Sequence, residues 1–327
     1  MKWYSIKDTA RKHKAINIII GGRGIGKTYS ATDFCINSGK MFLYLRNTVT
    51  QLDECVTAFG NPFKKWCADH GRDVYIEKSG KHAFIYERIE EDTKLIGMAA
   101  ALSVFENLRG VDLSDIEIVL FDEFIERRTL SFPQFETFAN LYETINRNRE
   151  LEEPPRAPLQ CFLLSNAQKL ANPILAGYGL IPIIENMIRN NQNEYNNQFM
   201  HIELPESEVS EAKRNTANYV LTNGSKFADE ALNNNFAFDS FYGVKKRPLK
   251  EYIGLCMIDN IYIYKHKSSN KYYACSSVCN NVPEFTSKDN YIPFYKNYGL
   301  LLSNAAAVGN LEYSDFITKS TLLDILQ

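Results

Sequence analysis

The stretch Ile16-Asn17-Ile18-Ile19-Ile20-Gly21-Gly22-Arg23-Gly24-Ile25-Gly26-Lys27-Thr28 decides the fold. Its second part fits GxxxxGK[ST], the pattern of a loop that cradles phosphate groups. Its first part is the short apolar strand such a loop must follow, and helix-compatible residues come after it. A Gly-rich turn would also satisfy the pattern as a string, but the strand before it favours a nucleoside-triphosphate site. Glycine is needed where backbone N–H groups wrap the β- and γ-phosphates, because a side chain would block the approach. Gly21, Gly22, Arg23, Gly24, Ile25, Gly26, Lys27 and Thr28 are therefore the candidate nucleotide-binding residues. Lys27 is expected to reach the terminal phosphates and Thr28 to ligate Mg²⁺, with the positive end of the next helix behind them.

Composition frames this motif. The 327 residues suffice for about two domains, and 45% hydrophobic with 23% charged residues is ordinary for a soluble globular protein. No apolar run is long enough to span a membrane, and the N-terminus does not read as a secretory signal. Seven scattered cysteines read as reduced thiols of a cytosolic protein. Cys275 and Cys279 lack the partners a zinc site would need. A net charge of −2 argues against nucleic-acid binding over the whole surface, though not against a local basic face. Residues 240–275 carry seven Lys/Arg and two acids, so 7 − 2 = +5, interleaved with tyrosines. A solvated strand face would look the same.

Residues 1–205 alternate apolar strands with helical stretches, which predicts an α/β domain with a mostly parallel sheet. Ile16–Ile20, Met41–Leu45, Ile116–Phe121 and Gln160–Leu164 are the expected buried strands. Two alternating runs around Lys78-Ser79-Gly80-Lys81 suggest a hairpin insertion, and Phe135 to Ile145 an amphipathic helix. Residues 206–235 are polar and read as a linker. Residues 236–327 read as a small α+β domain with a hairpin turning at Ser268-Ser269-Asn270.

The second chemical signal is Ile116-Glu117-Ile118-Val119-Leu120-Phe121-Asp122-Glu123, an apolar strand ending in two acids. Asp122 is expected to hold the Mg²⁺ shell and Glu123 to polarise the water that attacks the γ-phosphate. A strand stopping at two solvated acids is the bland alternative. Asn166 closes the next strand and would bond the γ-phosphate, the lytic water or Glu123, or else cap the following helix. In Asn146-Arg147-Asn148-Arg149, an arginine after a helix suits entry into a neighbouring subunit's site, although cations at a helix end are also favourable there. Arg46 is a candidate to touch phosphate in cis, and Arg109 another to act in trans.

Taken in order, Gly22–Lys27, Phe42–Arg46, Leu102–Phe105, Val119–Ile125, Arg147–Glu150, Leu164–Ala167 and Ile202–Pro205 resemble the DNA-packaging ATPases of small tailed phages, the phi29 type. The resemblance covers the first two-thirds of the chain. It implies an additional-strand, catalytic-Glu P-loop ATPase domain, a linker, and a ribonuclease-H-like domain without nuclease activity. It also implies ATP and Mg²⁺ as ligands and double-stranded DNA as the polymer moved. A homomeric ring of typically five subunits at the portal of a procapsid, a packaging RNA as a possible partner, and the host cytoplasm as the location follow from the same source. On this resemblance Arg147 acts in trans, the strand-end Asn166 couples to Glu123, and Arg46 lies near the nucleotide. A departure at the position of Arg109 leaves the DNA-contacting residues open, with Lys64, Lys65, Lys78 and Lys81 as candidates. Two other classes compete. A terminase-like nuclease would use carboxylates among Asp259, Glu284, Asp289, Asp315 and Asp324, and a P-loop switch module would bind nucleotide without turnover.

Overall fold

The computed structural model describes residues 2–108, 112–126, 130, 132–166, 170–222 and 243–326. The chain divides into two compact units, Met1–Ala237 and Phe238–Gln327. Residues 223–235 of the expected linker lie outside the described residues, as do Arg109 and Ala167. The described part of that linker, through residue 222, groups with the first unit. There Ser207 caps the helix Glu208–Lys213, whose last residue donates from Nζ to the carbonyl of Arg23.

The first unit is built on nine strands: β1 (Ile16–Gly21), β2 (Met41–Arg46), β3 (Asp73–Ser79), β4 (His82–Ile89), β5 (Asp92–Ala101), β6 (Ile116–Asp122), β7 (Gln160–Asn166), β8 (Glu194–Asn196) and β9 (Met200–Glu203). They form one sheet in the order β3-β4-β5-β2-β6-β7-β1-β9-β8. The six central strands, from β5 to β9, are parallel, while β3, β4 and β8 pair antiparallel at the edges. The four expected core strands are all present, and each runs one or two residues further than its apolar run. The added residues are Gly21, Arg46, Asp122, and Ser165 with Asn166. Ladder pairing to a parallel neighbour carries the strand past the point where hydrophobic patterning stops. The hairpin at Ser79-Gly80 is no separate insertion. Through β5 it continues the edge of the main sheet, where β5 pairs parallel with β2 and antiparallel with β4.

One topological feature positions the site. β7 lies between β1 and β6, so the loop-bearing strand and the acid-bearing strand are not neighbours. Gly21 is in register with Asn166, and Asp122 with Leu164, so the chemistry-bearing ends finish along one edge. The core beneath is apolar throughout: Ile18, Ile19, Phe42, Leu43, Val119, Leu120, Phe162 and Leu163 are all fully buried. Parallel strands covered by helices on both faces require this composition.

The second unit holds β10 (Tyr252–Ile258), β11 (Ile261–His266), β12 (Tyr272–Cys275), β13 (Glu284–Phe285) and β14 (Leu311–Tyr313), ordered β13-β10-β11-β12-β14. β10, β11 and β12 are an antiparallel meander, with the turn between β11 and β12 at the expected place. β13 and β14 flank the meander in parallel. Cys256, Ile258, Ile263, Phe294, Leu302 and Leu322 form its core.

Candidate active site

The loop after β1 bends through two glycines, Gly24 at φ 68° and Gly26 at φ 100°. These left-handed values are open to glycine without a Cβ penalty, and Gly26 delivers the chain directly into the helix Lys27–Asn37. A Cβ at Gly21 would stand 2.8 Å from Pro205 Cγ, so that position is closed by packing. The helix N-terminus leaves its first N–H groups facing the loop, the arrangement that attracts phosphate.

Lys27 is 7% exposed. Its Nζ donates to Gly21 O at 2.9 Å, Gly22 O at 2.7 Å and Asn166 Oδ1 at 3.1 Å. Burial pushes its pKa down to about 8, against the pull of Asp122 and Glu123 and with a further push from Lys213. Thr28 Oγ1 donates to Asp122 Oδ1 at 3.0 Å. Tyr44 Oη, from inside β2, donates to Asp122 Oδ2 at 3.0 Å. Burial raises the Asp122 carboxyl above the ordinary carboxylate range, in spite of Arg46 beside it.

Glu123 follows Asp122 in the left-handed region at φ 55°, where a non-glycine residue costs about 1–2 kcal/mol. Its side chain is half-exposed and turned to Arg46, whose Nη2 donates to Oε2 at 2.7 Å; Nη1 lies 3.5 Å from Asp122 Oδ2. Arg46 is itself mostly buried, and its Nε is a buried donor with no partner among the described residues. The partnership expected between Asn166 and Glu123 is thus replaced: Asn166 holds Lys27, and Arg46 holds Glu123. The reason is register. Strands β7 and β2 both flank β6, but Asn166 lies two residues beyond Leu164, the partner of Asp122, and level with Gly21, whereas Arg46 directly follows Leu45, the partner of Phe121, and so ends beside Asp122. Arg23, Gly24, Gly26, Lys27, Thr28, Tyr29, Asp122, Glu123, Ser165 and Asn166 line one cavity of about 250 Å³. The candidate residues Gly22 and Ile25 belong to the same loop, Ile25 with its side chain fully buried.

Arg147 and Arg149 have opposite fates. The helix Gln134–Asn146 ends at Arg147, which caps it in the left-handed region at φ 45°. The Arg147 side chain is about half exposed, with Nη1 2.9 Å from Asp112 Oδ1. Arg149 is 3% exposed, and its guanidinium donates to the carbonyls of Ile116, Ile145 and Asn146. It closes the end of the helix against the start of β6. Of the four lysines proposed for DNA, Lys65 pairs with Asp69, Lys78 with Asp53, and Lys64 lies over the Phe59 ring; all four are exposed.

Sequence reasoning missed four polar side chains of this edge. Tyr44 looks like core from its place in an apolar run. Asn47, Gln134 and Asn172 are buried carboxamides grouped beneath Glu123. Only the Asn172-Pro173 pair carries a local signal, that of a helix cap, which it is: Asn172 Oδ1 accepts from the N–H groups of Ile174 and Leu175.

A sequence profile described as Podovirus DNA encapsidation protein (Gp16) matches residues 1–262. The chain belongs to this family. Two curated relatives, the DNA packaging proteins of Bacillus phage PZA and Bacillus phage phi29, are each 30% identical to it over 242 residues, or 72% of this chain. The matched stretch is 66% of either relative, slightly under two-thirds of their length. Two solved structures share the fold over nearly the whole chain. The Phi-28 gp11 DNA packaging motor is 17% identical with a TM-score of 0.56, over 99% of this chain and 97% of that one. The bacteriophage Phi-29 packaging motor assembly is 21% identical with a TM-score of 0.54, over 99% of both.

Proposed function

We propose that this member of the encapsidation family is an ATPase of the additional-strand, catalytic-Glu class that drives double-stranded DNA into a viral procapsid. What carries the reading is the convergence, around one cavity, of the phosphate loop, Lys27, Thr28, Asp122, Glu123 and Asn166. The interposed strand β7 agrees with that class. The relatives named as packaging proteins supply the direction in which turnover is spent.

The donor set fits a triphosphate with its cation. Lys27 already satisfies two loop carbonyls and an amide oxygen, all neutral acceptors that phosphate oxygens outcompete for an ammonium. Thr28 and Asp122, hydrogen-bonded to each other, would together hold Mg²⁺, which supplies positive charge against the β- and γ-phosphates. Glu123 is the base that takes the proton from the attacking water. While Arg46 holds its carboxylate, that role is suspended; release of Arg46 towards phosphate charge would free Glu123 for water. Asn166, on Lys27, ties the end of β7 to the loop. Arg147, exposed at the far end of a helix, is the arginine offered to the adjacent subunit.

The working unit on this reading is a homomeric ring, five-membered by analogy, at the portal of the procapsid in the host cytoplasm. A packaging RNA is a partner to be tested by ribonuclease treatment. Residues 1–205 would act as the motor, 206–235 as the linker and 236–327 as a ribonuclease-H-like domain without nuclease activity. Among the candidate nuclease acids, Asp259 accepts from Ser287 and Asp315 caps the last helix at Thr318. No group of three or more His, Cys, Asp or Glu able to hold a metal occurs among the described residues.

The test is Glu123→Gln. We expect binding of an ATP analogue within about twofold of wild type, with hydrolysis reduced to a small residual rate measurable only in single turnover and DNA uptake into procapsids abolished. Unchanged hydrolysis would remove the base assignment. Hydrolysis lost while packaging continued would remove the motor.

A further inference from the structure

The turn that carries Glu123 rests on three buried carboxamides that no phosphate-loop motif contains. Asn47, Gln134 and Asn172 are 0%, 0% and 3% exposed. They come from three separate places: the residue after β2, the first residue of the helix Gln134–Asn146, and the cap of the helix Pro173–Gly177. Asn47 Nδ2 donates to Glu123 O at 3.0 Å and lies 3.4 Å from Phe124 O. Gln134 Nε2 donates to Phe124 O and to Asn47 Oδ1, both at 2.7 Å. Asn172 Nδ2 donates to Gln134 Oε1 at 2.9 Å and lies 3.5 Å from Phe124 O. On the other side, Phe124 N–H is fixed by Leu164 O of β7 at 3.1 Å. Each of these three carboxamides has a partner, and their network ends on the carbonyls of the two residues that follow Asp122.

This arrangement is more than is needed to bury a turn. Apolar side chains would fill the space without the cost of desolvating three amides. A left-handed glutamate relaxes to an ordinary conformation unless the surroundings over-determine it. Fixing the carbonyls of residues 123 and 124 fixes the peptide planes on which the Glu123 side chain is aimed. We propose that Asn47, Gln134 and Asn172 are positioning residues that hold Glu123 in its productive backbone geometry. The inference rests on the reading of Glu123 as the base. Gln134 is the central link, because it bonds both other amides and the Phe124 carbonyl. Asn47 also bonds Glu126 Oε1 at 3.0 Å, so the grip extends past the turn on its C-terminal side.

The experiment is a coupling measurement on the full chain. Gln134→Met keeps length and volume while removing every polar bond. Asn172→Ser keeps an oxygen to cap its helix while removing the amide. Single-turnover hydrolysis, affinity for an ATP analogue and thermal unfolding are measured for each alone and each combined with Glu123→Gln. We expect Gln134→Met to lower the hydrolysis rate at least tenfold and Asn172→Ser about threefold, with analogue affinity within twofold of wild type. In the Glu123→Gln background both changes should leave the residual rate unaltered, because their effect passes through that carboxylate. A loss of equal size in both backgrounds would make the amides merely structural and overturn the proposal, as would wild-type hydrolysis by Gln134→Met. Should Gln134→Met not fold, Asn172→Ser carries the same comparison. Wild-type hydrolysis by Glu123→Gln alone would remove the base reading, and this inference with it.

Discussion

Lys27 is held by neutral acceptors in a buried pocket, and its pKa of about 8 makes nucleotide affinity depend on pH in a calculable way. The gap from the ordinary 10.5 is a differential of about 3 kcal/mol between its two protonation states. In the free protein the ammonium form is disfavoured, so this penalty is present below pH 8. It is relieved as pH rises from 8 towards 10.5. Bound phosphate reverses the balance, because an anion beside the ammonium restores its charge. Binding must then take up a proton wherever the free protein has lost one. At pH 8 the uptake should be about half a proton per nucleotide, and at pH 9 affinity should be about tenfold weaker than at pH 7. Titration calorimetry with a non-hydrolysable analogue, in two buffers of different ionisation enthalpy at pH 8, reads the proton uptake directly. Affinity measured from pH 6.5 to 9.5 reads the slope. Zero uptake at pH 8 together with flat affinity to pH 9.5 would refute the reasoning, since Lys27 would then be fully charged before nucleotide arrives.

Two further predictions separate roles that the sequence leaves together. Arg147→Ala should leave thermal unfolding and analogue affinity unchanged, its ion pair with Asp112 being exposed on both sides, yet lower DNA-stimulated turnover about 10³-fold. Mixing it with Lys27→Ala protein should restore part of the turnover. Full activity of Arg147→Ala, or no rescue on mixing, would exclude action across a subunit interface. Tyr44→Phe removes a hydrogen bond to a charged carboxylate, worth about 1.5–3 kcal/mol, and should raise the half-saturating Mg²⁺ concentration for hydrolysis about tenfold. An unchanged Mg²⁺ titration would show that Tyr44 serves packing alone.

The legible part of this molecule is what local patterning encodes. Short apolar runs ending in Gly21, Asp122 and Asn166 announce parallel strands with their chemistry at one end, because burial on both faces leaves no other composition. The phosphate loop is legible because its glycines are required by backbone conformation, at Gly24 and Gly26 as φ values of 68° and 100°. What local pattern does not encode is lateral neighbourhood. Whether Arg46 or Asn166 meets Glu123 depends on strand order and register, and β5, which fixes β2 in the sheet, reads as hardly more than the end of a hairpin. Arg147 and Arg149 differ by two residues and are chemically alike. Two consecutive left-handed residues, Arg147 and Asn148, join the helix to the turn Arg149–Leu151, leaving the first side chain outward and bringing the second onto the carbonyls of Ile116, Ile145 and Asn146. The amides Asn47, Gln134 and Asn172 are 38 to 87 residues apart at their mutual bonds, so only the folded chain brings them into one group.

The helix Gln134–Asn146 has 13 residues and is about 20 Å long. Its first residue is fastened under the turn of Glu123, and its cap is Arg147. A single rod therefore has one foot beneath the Glu123 proposed as the base and the other at the Arg147 proposed to act on the next subunit. Tilting it by about 5° displaces the far tip by nearly 2 Å, more than the roughly 1 Å that costs a reacting group about a hundredfold in rate. In the ring proposed above, movement at one Glu123 would reach the neighbouring subunit through this helix.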